Sequence, residues 1–348
     1  MTIVIEPARR ASATMVRALT VGMGVLLGQV GGAFAQSAYL PDKGELETSI
    51  GTIYQDYNSA WQGTQFQEYP RTTTIQEYRL NLAYGITDTL SLDLATGYGT
   101  LVGGLSRGDR PNPNGCWNQP LNTLAGRQCQ DPIPQGSRDG VLDSRIGLRW
   151  QAHQEDSSVW NSLPTVALYG NGIIAGDYEN TPQALGDGAS GAEFGIFLGR
   201  YWDEFKFGLL GNLEYQYLRG PQDVVPNNWN GSISAYKFFG PFFVNGAYAF
   251  QHSVSGWDTG RGPFPPNPDN LPANLVGPPD SRDYNRMLNA VGRQENWESW
   301  ELGGGYLTEG GTVIYGSYSD VFDGRNTADR QTWLLVVTLP TQLFGREW

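Results

Sequence analysis

What most restricts the folds open to this chain is a two-residue hydrophobic period that recurs along most of its length, with no sustained 3.6-residue period beside it. Between Thr74 and Tyr84 the residues Tyr78, Leu80, Leu82 and Tyr84 share one parity. Ile75, Glu77, Arg79, Asn81 and Ala83, mostly polar or small, share the other. After Gly85-Ile86-Thr87-Asp88, the residues Leu90, Leu92, Leu94, Thr96 and Tyr98 alternate with Ser91, Asp93, Ala95, Gly97 and Gly99. Similar alternations run through Leu142–Trp150, Ala192–Gly199, Lys206–Tyr217 and, more weakly, Thr332–Leu339. Successive side chains of a strand point to opposite faces, so each segment reads as a strand with one apolar and one polar face.

Twelve strands are expected, at about 45–57, 73–86, 89–101, 140–151, 163–175, 189–201, 205–218, 229–239, 242–253, 294–307, 312–322 and 330–340. Short links near 87–88, 152–162, 202–204, 240–241 and 308–311 alternate with long ones at 58–72, 102–139, 176–188, 219–228, 254–293 and 323–329. An even strand number with short turns at one end and long loops at the other is the layout of a transmembrane antiparallel β-barrel in a bacterial outer membrane. A soluble sandwich has no need for long hairpin loops confined to one side. Aromatic residues around the short turns (Tyr84, Trp150, Tyr201-Trp202, Phe205, Phe207, Phe238-Phe239, Phe242-Phe243, Tyr306) read as a headgroup girdle. The two longest loops, 102–139 and 254–293, are rich in proline and are read as extracellular.

Composition removes other classes. Mean hydropathy of −0.39 leaves no room for repeated apolar helices of roughly 20 residues. A net charge of −12 without a basic stripe argues against nucleic acid as a partner. Residues 1–35 open with Arg9, Arg10 and Arg17, continue in an apolar run from Ala18 to Val30, and end in Ala33-Phe34-Ala35. That is the pattern of a cleaved secretory signal peptide, leaving 36–348 as the barrel. In an exported chain the two cysteines, Cys116 and Cys129, read by default as a disulfide closing one loop. Metal ligation is the rival reading, with no histidine near them.

If lipid covers the apolar faces, the other faces line a lumen, and its candidates are Glu77, Arg79, Asp93, Asp143, Arg145, Arg149, Glu193, Glu214 and Glu301. Glu47, Asn81 and Asn212 share their parity. The parity of Ile86 and Leu90 sets the register of the first short hairpin. It places Arg79 opposite Gly97, Asp93 opposite Ala83, and Glu77 opposite Gly99. Two readings of these charges stay open: a charge ladder that orients polar or anionic solutes, or a narrow barrel filled by salt bridges. An enzyme is not expected. His252 beside Ser253 and Ser255 lacks a positioned Asn or Asp, and His153 falls in a short turn. Asp320, Asp323, Asn326 and Asp329 match a calcium loop only loosely, and nothing calls for a cofactor.

Several motifs resemble a known family. They are Tyr39-Leu40-Pro41-Asp42-Lys43-Gly44-Glu45, Tyr84-Gly85-Ile86-Thr87-Asp88-Thr89-Leu90, Gly140-Val141-Leu142-Asp143-Ser144-Arg145-Ile146-Gly147-Leu148-Arg149, and Leu185-Gly186-Asp187-Gly188 leading into Glu193-Phe194-Gly195. The family is the outer-membrane barrel group named for the MetA pathway of phenol degradation, and the resemblance covers about residues 39–218. It implies outer-membrane transport, with aromatic compounds suggested by the family's name, and it supplies no site residues. Trp348 is the aromatic last residue such barrels carry, although Pro340 and Gly345-Arg346-Glu347 interrupt the approach to it.

Three functions follow as expectations. The first is a channel for small, in part aromatic, solutes in the outer membrane of a Gram-negative bacterium, in contact with its lipid. The others are the porin of a polysaccharide export system, with export-machinery partners, and a structural or adhesive surface barrel.

Overall fold

The computed structural model describes residues 37–62, 64–103, 136–155, 163–177, 186, 188–219, 225–254 and 294–342. The expected signal segment and disulfide cysteines Cys116 and Cys129, most of both proline-rich loops and the last six residues lie outside these. The described residues form thirteen strand segments: β1 (Glu45–Gln62), β2 (Gln65–Thr87), β3 (Leu90–Gly103), β4 (Gly136–Val141), β5 (Ser144–His153), β6 (Thr165–Ile174), β7 (Ser190–Trp202), β8 (Phe207–Arg219), β9 (Asn228–Phe239), β10 (Phe242–Ser253), β11 (Asn296–Leu307), β12 (Val313–Arg325) and β13 (Gln331–Gln342). Both β4 and β5 pair with β3, so together they make one stave of the wall. Each stave pairs antiparallel with its neighbours in sequence, and β1 pairs with both β2 and β13. The result is a closed barrel of twelve staves.

Closure leaves no open sheet edge, and continuous ladders pair the backbone of neighbouring staves, as hydrocarbon demands. The outward side chains are large and apolar on every part of the circumference: Ile50, Tyr78, Leu92, Ile146, Leu168, Phe194, Leu213, Ile233, Leu302 and Leu335 among them. In water such a surface would be far larger than a soluble monomer exposes. Against lipid it is the stabilising face.

The first short hairpin has the register its parity requires. Arg79 pairs with Gly97, Ala83 with Asp93, and Glu77 with Gly99. The two-residue turn between β9 and β10 places Gly240 at φ 65, a left-handed conformation that glycine adopts without a Cβ clash.

Three expectations need correction. Residues 58–72 are not a long loop, because β1 and β2 continue as a paired hairpin to Gln62 and Gln65. Beyond the membrane both faces meet water, so pairing persists while the apolar alternation fades. This extension is tied to the link between β12 and β13, where Trp61 N donates to Thr327 O, Asp329 N to Ser59 O and Ser59 Oγ to Asp329 Oδ2.

The strand expected at 140–151 is broken at Leu142 and Asp143. Leu142 turns inward and its N–H bonds Gly97 O, while Asp143 accepts from Gly176 N at 2.8 Å. The break shifts the parity by one residue. Gly140 and Leu142 face inward before it, and Arg145, Gly147 and Arg149 after it.

Finally, the aromatic doublets at the short turns do not all belong to the girdle. Phe239 and Phe242 face outward with Trp150, Phe205 and Tyr306, but Phe238 and Phe243 are buried inside. Adjacent residues of a strand cannot share a face.

Candidate functional site

The interior has two chemically distinct parts. Around β2 to β9 it is polar and ionic. Arg79 Nη2 lies 2.7 Å from Glu77 Oε2 along one strand. Arg149 Nη2 meets Asp93 Oδ1 at 3.1 Å across the β3–β5 pair, and Ser91 Oγ donates to the same oxygen. Arg145 Nε meets Glu193 Oε2 at 3.0 Å.

That third pair opens into a network. Asn171 and Gln216 flank Glu193 in register and donate to its two oxygens at 2.6 and 3.3 Å. Gln216 also donates to Glu214 at 3.1 Å, as do Asn230 at 2.8 Å and the Tyr169 hydroxyl at 2.5 Å. Alternation along each strand delivers these groups to one face, and the hydrogen bonds replace the water they have lost. Arg149 and Glu193 are 0% exposed and Glu214 1%. At this level the barrel is filled rather than open.

Nearer the short turns of β6 to β12 the interior is aromatic. Tyr169, Phe197, Leu210, Tyr236, Phe238, Phe243, Leu307, Val313 and Tyr315 form one buried cluster. Phe197 stacks on Tyr169 with centroids 4.6 Å apart, and Phe243 on Tyr315 at 5.7 Å. The rings lie against glycines of the neighbouring strand. Tyr169 covers Gly195, Tyr236 covers Gly208, and Phe243 covers Gly305. A side chain at any of those glycines would lift its ring off the wall.

The cluster is completed by residues that belong to no strand. Ala38, Tyr39 and Leu40 enter the mouth at the short-turn end and are buried in the aromatic cluster. The segment is anchored at both flanks. Arg149 Nη1 donates to Ser37 O at 2.8 Å and Gln151 Nε2 to Ala38 O at 2.9 Å. The Tyr39 hydroxyl donates to Glu155 Oε1 at 2.9 Å. Burial, helped by Tyr236 and Glu155 nearby, pushes the Tyr39 phenol up, which keeps it a donor. Glu155 also accepts from Tyr201 N, and Gly44 N bonds Gly85 O at the foot of β2. The segment therefore lies inside the mouth, touching the ionic wall on one side and the aromatic wall on the other.

Of the nine candidates from the sequence, eight (Glu77, Arg79, Asp93, Arg145, Arg149, Glu193, Glu214 and Glu301) are buried inside the cylinder. Asp143 stands apart at the break, half-buried, and caps Gly176. His252 is exposed while Ser253 is buried and bonds Asn228 Oδ1 and Glu295 O, so the two neighbours face opposite sides of the wall. His153 Nδ1 lies 3.0 Å from Pro164 O. Sequence reasoning missed the inward aromatics and the segment in the mouth. The glycines opposite the rings were the available signal for the first, and no periodicity signals the second.

No family model matches this chain, and no curated protein does. Among solved structures, the COG4313 outer membrane channel from Pseudomonas putida F1 is similar over 90% of this chain and 100% of that one, with a TM-score of 0.61 and 9% identity. The fold is that of an outer-membrane barrel. The CymD monoaromatic hydrocarbon channel (92% and 96% covered, TM-score 0.43, 10% identity) is more distant in shape. So is the translocator domain of the autotransporter NalP from Neisseria meningitidis (87% and 90%, 0.40, 10%).

Proposed function

We propose that this protein is an outer-membrane channel for small solutes with an apolar, in part aromatic, body, held closed by its own N-terminal segment. One observation carries the reading: an aromatic interior cluster is covered by Tyr39 and Leu40, which belong to a segment outside the strand ladders of the wall. Withdrawn, the segment exposes ring faces at the short-turn mouth. Large apolar faces with a few fixed polar groups are what small-molecule sites are made of. The motifs shared with the phenol-degradation barrel group, and the channel from Pseudomonas putida as a neighbour in fold, point the same way.

The charges inside suit this role better than a hydrophilic pore. Three arginines hold carboxylates within the wall, which leaves the ionic arc rigid and makes the stopper the movable part. A polysaccharide porin would need a wide polar bore, and buried aromatic rings do not provide one.

Reconstitution in planar bilayers tests the proposal. The whole chain should give rare, small openings, and a variant lacking residues 37–43 should conduct roughly tenfold more, as removal of a constriction does. A variant that remains sealed overturns the reading.

A further inference from the structure

One interior carboxylate is handled unlike the rest. Glu301, on β11, is 6% exposed, yet no arginine or lysine among the described residues pairs with it. The Tyr315 hydroxyl lies 3.0 Å from Glu301 Oε1 and 2.5 Å from Asn245 Oδ1. One hydroxyl proton serves only one of those acceptors, and Asn245 Nδ2 has no partner. Turning the Asn245 amide would pair it with Tyr315, but the carboxylate charge would still be unanswered. Ser317 is the remaining group in reach, and it is neutral. Burying a charge without a counter-charge is costly, so such a carboxyl keeps a proton until a cation comes beside it, and ionisable groups inside membrane proteins line substrate and ion pathways.

The surroundings are shaped around this group. Gly303 lies between Asn245 and Ser317 in the ladder. A Cβ there would overlap the Tyr315 hydroxyl and crowd Asn245 Oδ1, so the glycine lets these oxygens converge beside Glu301. Gly305 does the same for the Phe243 ring, which stacks on Tyr315. An anion, several oxygens and adjoining ring faces together suit an ammonium group, through charge, hydrogen bonds and cation–π attraction. Among the described residues, six buried carboxylates (Glu47, Glu77, Asp93, Glu193, Glu214, Glu301) stand against four buried guanidiniums (Arg79, Arg145, Arg149, Arg330). Excess carboxylate inside a pore favours cations.

We propose that Glu301, Tyr315 and Asn245 form a binding site for the ammonium head of an amphiphilic cation, whose apolar body lies on Phe243 and Phe238 in the place that the stopper fills. The inference rests on the channel reading for access and names the solute class that the channel selects.

The test is calorimetric titration of the detergent-solubilised whole chain at fixed ionic strength. The probes are 2-phenylethylammonium chloride, its neutral counterpart 2-phenylethanol, and potassium chloride. The ammonium should bind about tenfold tighter than the alcohol, the scale of a partly desolvated charge contact. Glu301→Gln should erase that difference, whereas Glu204→Gln, in an exposed turn, should keep it. Equal affinity for ammonium and alcohol, or an undiminished preference in Glu301→Gln, overturns the inference. Displacement of the ammonium by an equal concentration of potassium also overturns it, in favour of an inorganic cation. The comparison of probes on the unmodified chain needs no variant to fold. Conductance of the stopper-less variant is unaffected by these results, so failure here is distinguishable from failure of the channel reading.

Discussion

Glu193 and Glu301 are both buried carboxylates on inward strand faces, and their settings differ in a way that separates architecture from recognition. Glu193 is held by Arg145, Asn171 and Gln216, with its charge answered and both oxygens occupied. Glu301 has Tyr315 and neutral amide and hydroxyl neighbours, beside an aromatic surface. The first belongs to a network that binds β5 to β9 into one rigid arc. The second sits where Gly303 and Gly305 clear the wall for Tyr315 and Phe243. A saturated ion pair holds the barrel, and on the reading proposed above the unpaired carboxyl receives a ligand.

Substitutions should therefore have opposite consequences at the two sites. Glu193→Gln takes from Arg145 its paired carboxylate, leaving Glu214 and Asp143 as the remaining counter-charges, and should cost about 3 kcal/mol in urea unfolding from lipid vesicles, the low end of the penalty for breaking a buried pair. A loss below about 1 kcal/mol would remove the distinction drawn between the two carboxylates. Gly303→Ala, which forces a methyl group against Tyr315 and Asn245, should cost about 1–3 kcal/mol by overpacking in the same assay. If that variant is as stable as the unmodified chain, the convergence of oxygens there is loose rather than built. Glu301→Gln should change stability by less than about 1 kcal/mol, since an amide still accepts from Tyr315 and no cation is stranded. A loss matching that of Glu193→Gln would mean that Glu301 is structural.

Much of the wall was legible in the sequence, because the membrane enforces the pattern that reveals it. The pairings of Arg79 with Gly97 and Asp93 with Ala83 followed from parity and one short turn. Where the membrane stops enforcing alternation, the reading failed. Residues 58–72 pair outside the lipid, where polar residues are permitted on both faces. At Leu142 and Asp143 an extra residue reverses the parity, and only three-dimensional contacts reveal which way each side chain turned. Inside, periodicity tells that a residue points inward but not what it meets. Phe197 and Tyr236 therefore went unnoticed among small and polar neighbours, and Phe238 and Phe243 read as girdle residues. The stopper was the least legible feature. Tyr39 and Leu40 are placed by contacts with distant strands, and their own sequence carries no period at all.

Gly199 on β7 faces the stopper; a Cβ built there lies 3.1 Å from that of Ala38 and 2.7 Å from the Tyr39 ring, so a small outward shift of the segment brings the pair to the separation of about 3.5–4.5 Å that a disulfide requires. With Cys116 and Cys129 replaced by serine, the pair Ala38→Cys and Gly199→Cys can lock the segment in place and release it on reduction. Single-channel recording across a planar bilayer then gives the most direct test of a lumen closed by its own N-terminal segment. The oxidised protein should be silent, and openings should begin when a reductant is added. The same current before and after reduction would contradict the account.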